Sequence, residues 1–573
     1  MKQSQPTHDI RFLFDLKSPA RDGTNLSTDV FLPTGGGPFP VIYLRTPYDS
    51  LRDAHIDWAV WWAQRGYACA IQEDRGRFKS DGKFYAYHDD GRDGHDGIEW
   101  IADQPWCNGK IGMSGRSYGG IVQWQAAPYR SPHLTCMAPQ VIMSDYFGDY
   151  HFIGGAVQWA LTVMAAVTFT TTVHLTQRGC THLFGNNKFL RQLPLIDADV
   201  AAIGREIPFF RDWLRHSTYD DYWRAVNVAE RLEDVDVPIC QQAAWYDPYV
   251  KSMFGLYNGM RTRGHSELAR KNQKLYVVPW THHIPEGSKL GDLDFGPQAY
   301  VDLNLEDLRW FDYWLKGIDT GIMDQPPIKI FVMGRNQWRY ENEWPLARTV
   351  FTPYYLHSQG RANSIYGNGT LTPDSARDEQ PDQFDYDPDN PVPTLGGNNS
   401  TWTLMKFAAE PVYPGPIDQR SIERRDDVLV YTSPVLDADL EVTGPIEVVL
   451  YAASSARDTD FTAKLVDVHP DGRAIHIAEG ILRARYRKSM EKTELLQLGE
   501  VDEFRISLAP TSNVFLAKHR LRVEISSSNF PRFDRNLNTG GDIATGTTWQ
   551  IAHQTIFHNS RYPSHILLPI IPA

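Results

Sequence analysis

Gly112-Met113-Ser114-Gly115-Arg116-Ser117-Tyr118-Gly119-Gly120 contains Gly115-x-Ser117-x-Gly119, the pattern of a nucleophile elbow. An elbow is a tight strand-to-helix turn that lifts one serine hydroxyl clear of a sheet. The nucleophile sits in a strained backbone conformation, so its neighbours must be small. The helix that follows aims its N-terminus at the reaction site, which suits a developing oxyanion. Gly and Ser are common, however, and a flexible loop satisfies the five residues equally well. The flanking sequence decides between the two.

Upstream, Arg11–Leu16 and Leu26–Leu32 alternate polar and apolar around Arg21-Asp22-Gly23, which predicts an antiparallel hairpin. Short apolar runs follow at Val41–Leu44, Ala68–Ile71 and Ile111–Ser114. Such runs suit strands covered on both faces, as in a parallel sheet. Helical patterns separate them: Asp57–Ala63, ending near Gly66, and Asp93–Ala102, with acids in its first turn and Pro105 beyond its end. Ser117 thus follows a predicted strand and opens a predicted helix, Ile121–Ala127, which is the context an elbow requires.

Composition narrows the classes. A net charge of -13 argues against a nucleic-acid partner and against an anionic membrane surface. No window has the apolar length of a membrane span, and Met1–Pro6 lacks the apolar run of a signal peptide. The five cysteines, Cys69, Cys107, Cys136, Cys180 and Cys240, are odd in number, scattered and without a C-x-x-C pair. That fits thiols used as small core residues in a reducing, cytoplasmic compartment.

A serine hydroxyl is a poor nucleophile until a base takes its proton, and the base must be held by an acid. In α/β-hydrolases the order along the chain is Ser, then Asp or Glu, then His, on loops after later strands. Pro238–Trp245 reads as a buried strand with Asp247 just beyond it, and Leu275–Trp280 as the next strand with His282 and His283 beyond it. Catalytic groups in open α/β sheets gather at these carboxyl ends. Asp247 is therefore the expected acid and His282 the expected base. An N-cap ahead of Pro248 is the bland reading of Asp247, and a surface imidazole that of His282. Spacing alone leaves His283 as a competitor.

Several stretches together resemble the cocaine esterase and X-Pro dipeptidyl-peptidase group of α/β-hydrolase serine hydrolases: Tyr43–Tyr48, Gln72–Arg77, Gln104–Met113, Val278–His282, Asp427–Ser433 and Ile525–Phe533. The resemblance extends over essentially the whole chain. It implies Ser117, Asp247 and His282 as a catalytic triad, with Pro-Trp-x-His favouring His282 over His283. It also implies an oxyanion hole built from the Tyr48 phenol and the backbone N–H of Tyr118; without the family, Tyr48 would read as a packing residue beneath a Pro turn. Relatives that hydrolyse α-amino-acid esters carry acids just after the triad aspartate to hold the substrate ammonium. Here Pro248, Tyr249 and Val250 follow. An ammonium without a counter-charge loses solvation uncompensated, so a free α-amine on the substrate is disfavoured.

From about Asp145 to Val237 the strand rhythm stops. Ala156–Ala166, Ile207–Arg215 and Asp220–Ala225 read as helices, and an all-helical insertion here resembles the family's cap. Phe152, Trp159, Met164 and Phe169 suit an acyl pocket or, as aromatic and Met residues at helical spacing more often do, the cap's own core. After about Pro353 the pattern is all-β, with strands at Ile446–Ala452, Phe461–Val468, Ala474–Gly480 and Arg520–Ile525 and a turn at His469–Gly472. The family implies a jelly roll. The acidic, Pro-rich run from Thr372 to Pro393 lacks a metal-loop spacing and reads as an ordered surface meander.

The expected architecture is an α/β-hydrolase core (1–144 and 238–352), a helical cap (145–237) and a C-terminal β-sandwich (353–573). The expected function is hydrolysis of a small-molecule carboxylic ester through an acyl-enzyme, with no metal or organic cofactor implied. An X-Pro dipeptidyl-peptidase or an amide or β-lactam side-chain acylase on the same triad is the alternative. A non-catalytic carbohydrate-binding or scaffold protein is the third reading. Homo-oligomerisation is left open.

Overall fold

The computed structural model describes residues 3–171, 188–283, 287–400 and 412–572. The hairpin β1 (Ile10–Pro19) and β2 (Asn25–Pro33) pairs antiparallel, and β1 leaves Phe12 and Phe14 on the surface as an edge strand. The apolar runs become β3 (Phe39–Thr46), β4 (Ala68–Glu73) and β5 (Cys107–Arg116). β4 is buried throughout, as a strand covered on both faces must be.

Helix α1 (Asp53–Ala63) starts earlier than its pattern predicted. It buries Ala59, Trp62 and Ala63 and stops where Gly66, at φ 78°, turns the chain back. Helix α2 (Asp90–Ala102) likewise gains residues at its start, and α3 (Tyr118–Ala126) follows β5 directly. After β6 (Leu134–Gln140) and the cap, β9 (Ile239–Ala244) and β10 (Gln273–Val278) complete the region that matters for the site. Among the described residues the full sheet order is β1-β2-β4-β3-β5-β6-β9-β10-β11-β12, with β11 at Ile328–Val332 and β12 at Gln337–Glu341. The pairs from β4 to β11 are parallel.

This order has a functional consequence. β3 is followed by β4 on one side, while β5, on its other side, is followed by β6 further away. The loops leaving β3 and β5 therefore diverge and open a crevice at their carboxyl ends, the place where ligands bind in such sheets.

The cap departs from an all-helical insertion. Phe152–Ile153 (β7) and Ala156–Val157 (β8) form a small antiparallel hairpin, so helix α4 runs over Trp159–Thr170 rather than from Ala156. The hairpin forms because Gly154 and Gly155, both at positive φ, turn the chain tightly. The predicted helices at 207–215 and 220–225 are present as Pro208–Arg215 and Asp221–Arg224.

The C-terminal part is all-β. Its strands pair largely antiparallel around a core that includes Leu356, Phe461, Phe504 and Ile556. The acidic run is ordered: Asp382–Tyr386 is a strand paired with Ala552–Asn559. Cys69, Cys107, Cys136 and Cys240 are buried free thiols, and Cys180 lies outside the described residues. Among the described residues no helix is long and apolar enough to cross a membrane.

Candidate active site

Ser117 joins β5 to α3 with φ 56° and ψ −125°, a strained conformation for a residue with a Cβ. It is held there by backbone bonds: its N–H donates to the Gln140 carbonyl at 3.0 Å, and its carbonyl accepts from Gly120 at 2.8 Å and Ile121 at 3.0 Å. The glycines are sterically required. A Cβ on Gly115 lies 2.7 Å from Leu44 and 2.8 Å from the Gly119 carbonyl, and one on Gly120 lies 2.4 Å from Ile142. These contacts are what let the helix fold back over the strand.

Strand register brings the other groups to the same rim. Arg116 pairs with Gln140, Gln140 with Gln242, and Ala244 with Val278. Ser117, Asp247 and His282 each follow closely on these aligned positions. Asp247 is buried, and its two oxygens do different work. Oδ1 accepts from the Tyr249 N–H at 2.8 Å, closing a local turn, while Oδ2 meets His282 Nδ1 at 2.6 Å. The N-cap of the next helix, Val250–Arg263, is Tyr249 rather than Asp247. The Tyr249 ring packs edge-on against His282, with centroids 5.6 Å apart. Arg116 ties the elbow to the acid electrostatically: burial pushes its guanidinium down to about 10, and the attraction of Asp247 opposes that.

Tyr48 follows β3, on the opposite flank of the crevice. Burial raises the pKa of its phenol; the Arg52 guanidinium, 4.9 Å from the ring, and a hydrogen bond to the Ser117 side chain oppose that only in part. The phenol therefore stays protonated and is a hydrogen-bond donor at neutral pH. Tyr118 is the first residue of α3, so its backbone N–H has no acceptor within the helix. Its side chain is anchored behind the elbow: the hydroxyl donates to Asp90 Oδ2 at 2.7 Å and accepts from the Tyr87 N–H at 3.1 Å. Asp90 is buried, and burial raises its carboxyl to about 6 against the attraction of Arg45.

The end of α4 covers this region. The Phe169 ring lies 5.0 Å from Tyr118 and 6.3 Å from Tyr48 between centroids. Of Phe152, Trp159, Met164 and Phe169, it is Phe169 that packs on Tyr48 and Tyr118. Phe152 stacks on Phe147 and Trp159 packs near Phe210, both within the cap core, and Met164 is fully buried.

Arg77 links these pieces. Its Nε donates to the Pro47 carbonyl at 2.7 Å, its Nη1 to the Phe169 carbonyl and its Nη2 to the Thr171 carbonyl at 2.9 Å. The partners of Arg77 at Pro47, Phe169 and Thr171, and of Asp90 at Tyr118, lie 28 or more residues away in the chain, and no local pattern announces them.

Residues 22–283 match the model of the X-Pro dipeptidyl-peptidase (S15 family), and residues 320–567 match the X-Pro dipeptidyl-peptidase C-terminal non-catalytic domain. The chain is 38% identical to the cocaine esterase of Rhodococcus sp., over 96% of this chain and 97% of that protein. Among solved structures it resembles an aminopeptidase from the marine sediment archaeon Thaumarchaeota archaeon, with a TM-score of 0.83 at 23% identity over 100% of this chain and 98% of that one. It also resembles an α-amino acid ester hydrolase, with a TM-score of 0.82 at 24% identity over 100% and 98% of the two chains. At such identities these two likenesses concern the fold.

Proposed function

This chain is a serine hydrolase of the X-Pro dipeptidyl-peptidase (S15) family, and we propose that it cleaves carboxylic esters through an acyl-enzyme formed on Ser117. His282, with Nδ1 held by Asp247, presents Nε2 as the base that takes the Ser117 proton and later returns it to the leaving alcohol. Asp247 keeps the imidazole in the tautomer with a proton on Nδ1 and stabilises the imidazolium as it forms. The Tyr48 hydroxyl and the Tyr118 N–H donate to the oxygen that becomes negative in the tetrahedral intermediate. Water then attacks the acyl-Ser117, activated by the same imidazole.

The observation that carries this reading is the buried Asp247–His282 pair at 2.6 Å on the rim that also bears the strained Ser117. The Tyr249 ring, rather than a carboxylate, follows Asp247 towards His282, which favours esters without a free α-ammonium over dipeptidyl amides. In this reading, 1–144 and 238–352 supply the machinery, 145–237 covers it, and the described residues of 353–573 carry no catalytic group. The buried free thiols support a reducing, cytoplasmic setting.

The test is a panel of aryl and alkyl esters and a dipeptidyl-Pro amide, assayed with the wild type and Ser117→Ala, together with fluorophosphonate labelling. We expect ester turnover that Ser117→Ala abolishes, and a label on the peptide bearing Ser117. Faster cleavage of the dipeptidyl-Pro amide than of any ester supports a peptidase instead. An unlabelled Ser117 overturns the assignment.

A further inference from the structure

In the all-β part, the strand Asp460–Val468 pairs antiparallel with Arg520–Ser526, with Val468 opposite Arg520 and Asp467 opposite Leu521. Continuing that register one step sets His469 across from His519. Side chains two apart on a strand share a face, so Asp467 joins them there. Both histidines are held by their backbones. His469 closes the turn before Ala474 through its N–H to the Arg473 carbonyl at 2.8 Å. His519 follows Lys518, at φ 73°, and donates its N–H to the Leu516 carbonyl at 3.0 Å.

One ligand atom from each of Asp467, His469 and His519 lies within 4.8 Å of the others. His519 Nδ1 sits 2.8 Å from Asp467 Oδ1, and His469 Nε2 stops 3.7 Å from Asp467 Oδ2. The imidazole centroids are 4.4 Å apart. Among the described residues, the His469 ring makes no hydrogen bond of its own. A simple hydrogen-bonded His519–Asp467 pair accounts for two of the three groups and leaves the third aimed at a carboxylate from beyond bonding distance. Ligands about 2.0–2.2 Å from a zinc ion in a tetrahedral site stand roughly 3.3 Å from one another, and the two separations to the carboxylate bracket that value.

We propose that Asp467, His469 and His519 form a binding site for a divalent transition metal such as Zn2+. Two imidazoles and one carboxylate match the preferences of such ions, with water completing the sphere on the partly exposed His469 side. The metal ties the turn after Val468 to the chain entering Arg520 and takes no part in ester hydrolysis.

Chelator-stripped full-length protein dialysed against Zn2+ takes up one ion per chain in this site, and Co2+ in its place gives visible d–d absorption. His469→Phe removes that ion and the Co2+ bands while ester turnover stays within about twofold, which shows that the variant is folded. Asp467→Asn weakens Co2+ binding at least 10-fold, and Ser117→Ala leaves it unchanged. Equal metal uptake by the wild type and His469→Phe, or uptake by neither, overturns the proposal.

Discussion

Tyr48 shows how one side chain is given a position that its own sequence neighbourhood does not announce. It lies on the far side of the crevice from α3, and its phenol reaches Ser117 because β3 and β5 are adjacent in the sheet. Replacing it by Phe deletes a donor and little volume. Tyr48→Phe is therefore expected to lower kcat by about 10²–10³, roughly 2.7–4 kcal/mol in the barrier, with KM little changed. Steady-state kinetics on an aryl ester read this directly, and near-wild-type turnover removes Tyr48 from the oxyanion hole. Asp90 acts one residue further back, through the Tyr118 hydroxyl. Its carboxyl titrates near 6 when folded, against an ordinary 3.8. Between those values the folded protein holds a proton that the unfolded chain has lost, so this contribution to stability is present at low pH and disappears as pH rises through about 6. Asp90→Asn has no such titration. The stability of the wild type relative to Asp90→Asn should fall from pH 4 to pH 7 (denaturant melts at each pH), and a flat difference contradicts the raised pKa.

At the scale of elements, α4 is a helix whose ends are completed by other parts of the molecule. Gln158 gives it no side-chain cap. Its first N–H groups instead donate to the all-β part, Trp159 to the Arg532 carbonyl at 2.7 Å and Ala160 to the Pro531 carbonyl at 3.0 Å. At the other end Arg77 takes up the Phe169 and Thr171 carbonyls and, with the same guanidinium, the Pro47 carbonyl beside Tyr48. The end of α4 and the loop that carries Tyr48 are thus held by one cation. Hydrogen bonds to charged groups contribute about 1.5–3 kcal/mol each. Arg77→Met should accelerate amide exchange over residues 166–171 at least 10-fold, and lower kcat/KM at least as much, while exchange in β9 and β10 stays unchanged. Uniform acceleration across the chain means global destabilisation instead.

At the scale of the whole molecule, the all-β part is fastened to the cap and to the core behind Asp247. The Asn398 amide donates to the Trp245 carbonyl at 2.6 Å, and the Tyr246 hydroxyl to the His476 carbonyl at 3.2 Å. Asp534 Oδ1 accepts from the Val157 N–H and from Arg483, each at 2.8 Å, while Arg483 also pairs with Asp460. This network is fully buried. Removing one partner of a buried ion pair strands the other, typically at about 3–5 kcal/mol. Asp534→Ala should shorten the thermal-inactivation half-life about 100-fold or more. An unchanged half-life means that the cap does not depend on this junction.

Much of this was legible along the chain, because local physics sets it. Apolar runs of strand length, glycines where no Cβ fits and acids at helix starts predict the elbow, the parallel strands and the positions of Asp247 and His282 just beyond β9 and β10. The sequence by itself also determined which groups are present: one serine in an elbow motif, then one acid and one imidazole, in that order along the chain. Only the tertiary structure decided their partners. The start of α4 moved to Trp159 because a two-glycine turn claims the residues before it and carbonyls more than 370 residues away accept its first N–H groups. The pairing of Asp247 with His282, the reach of Tyr48 to Ser117 and the threefold grip of Arg77 depend on strand order and register. Those are properties of long-range contact, which no local periodicity encodes.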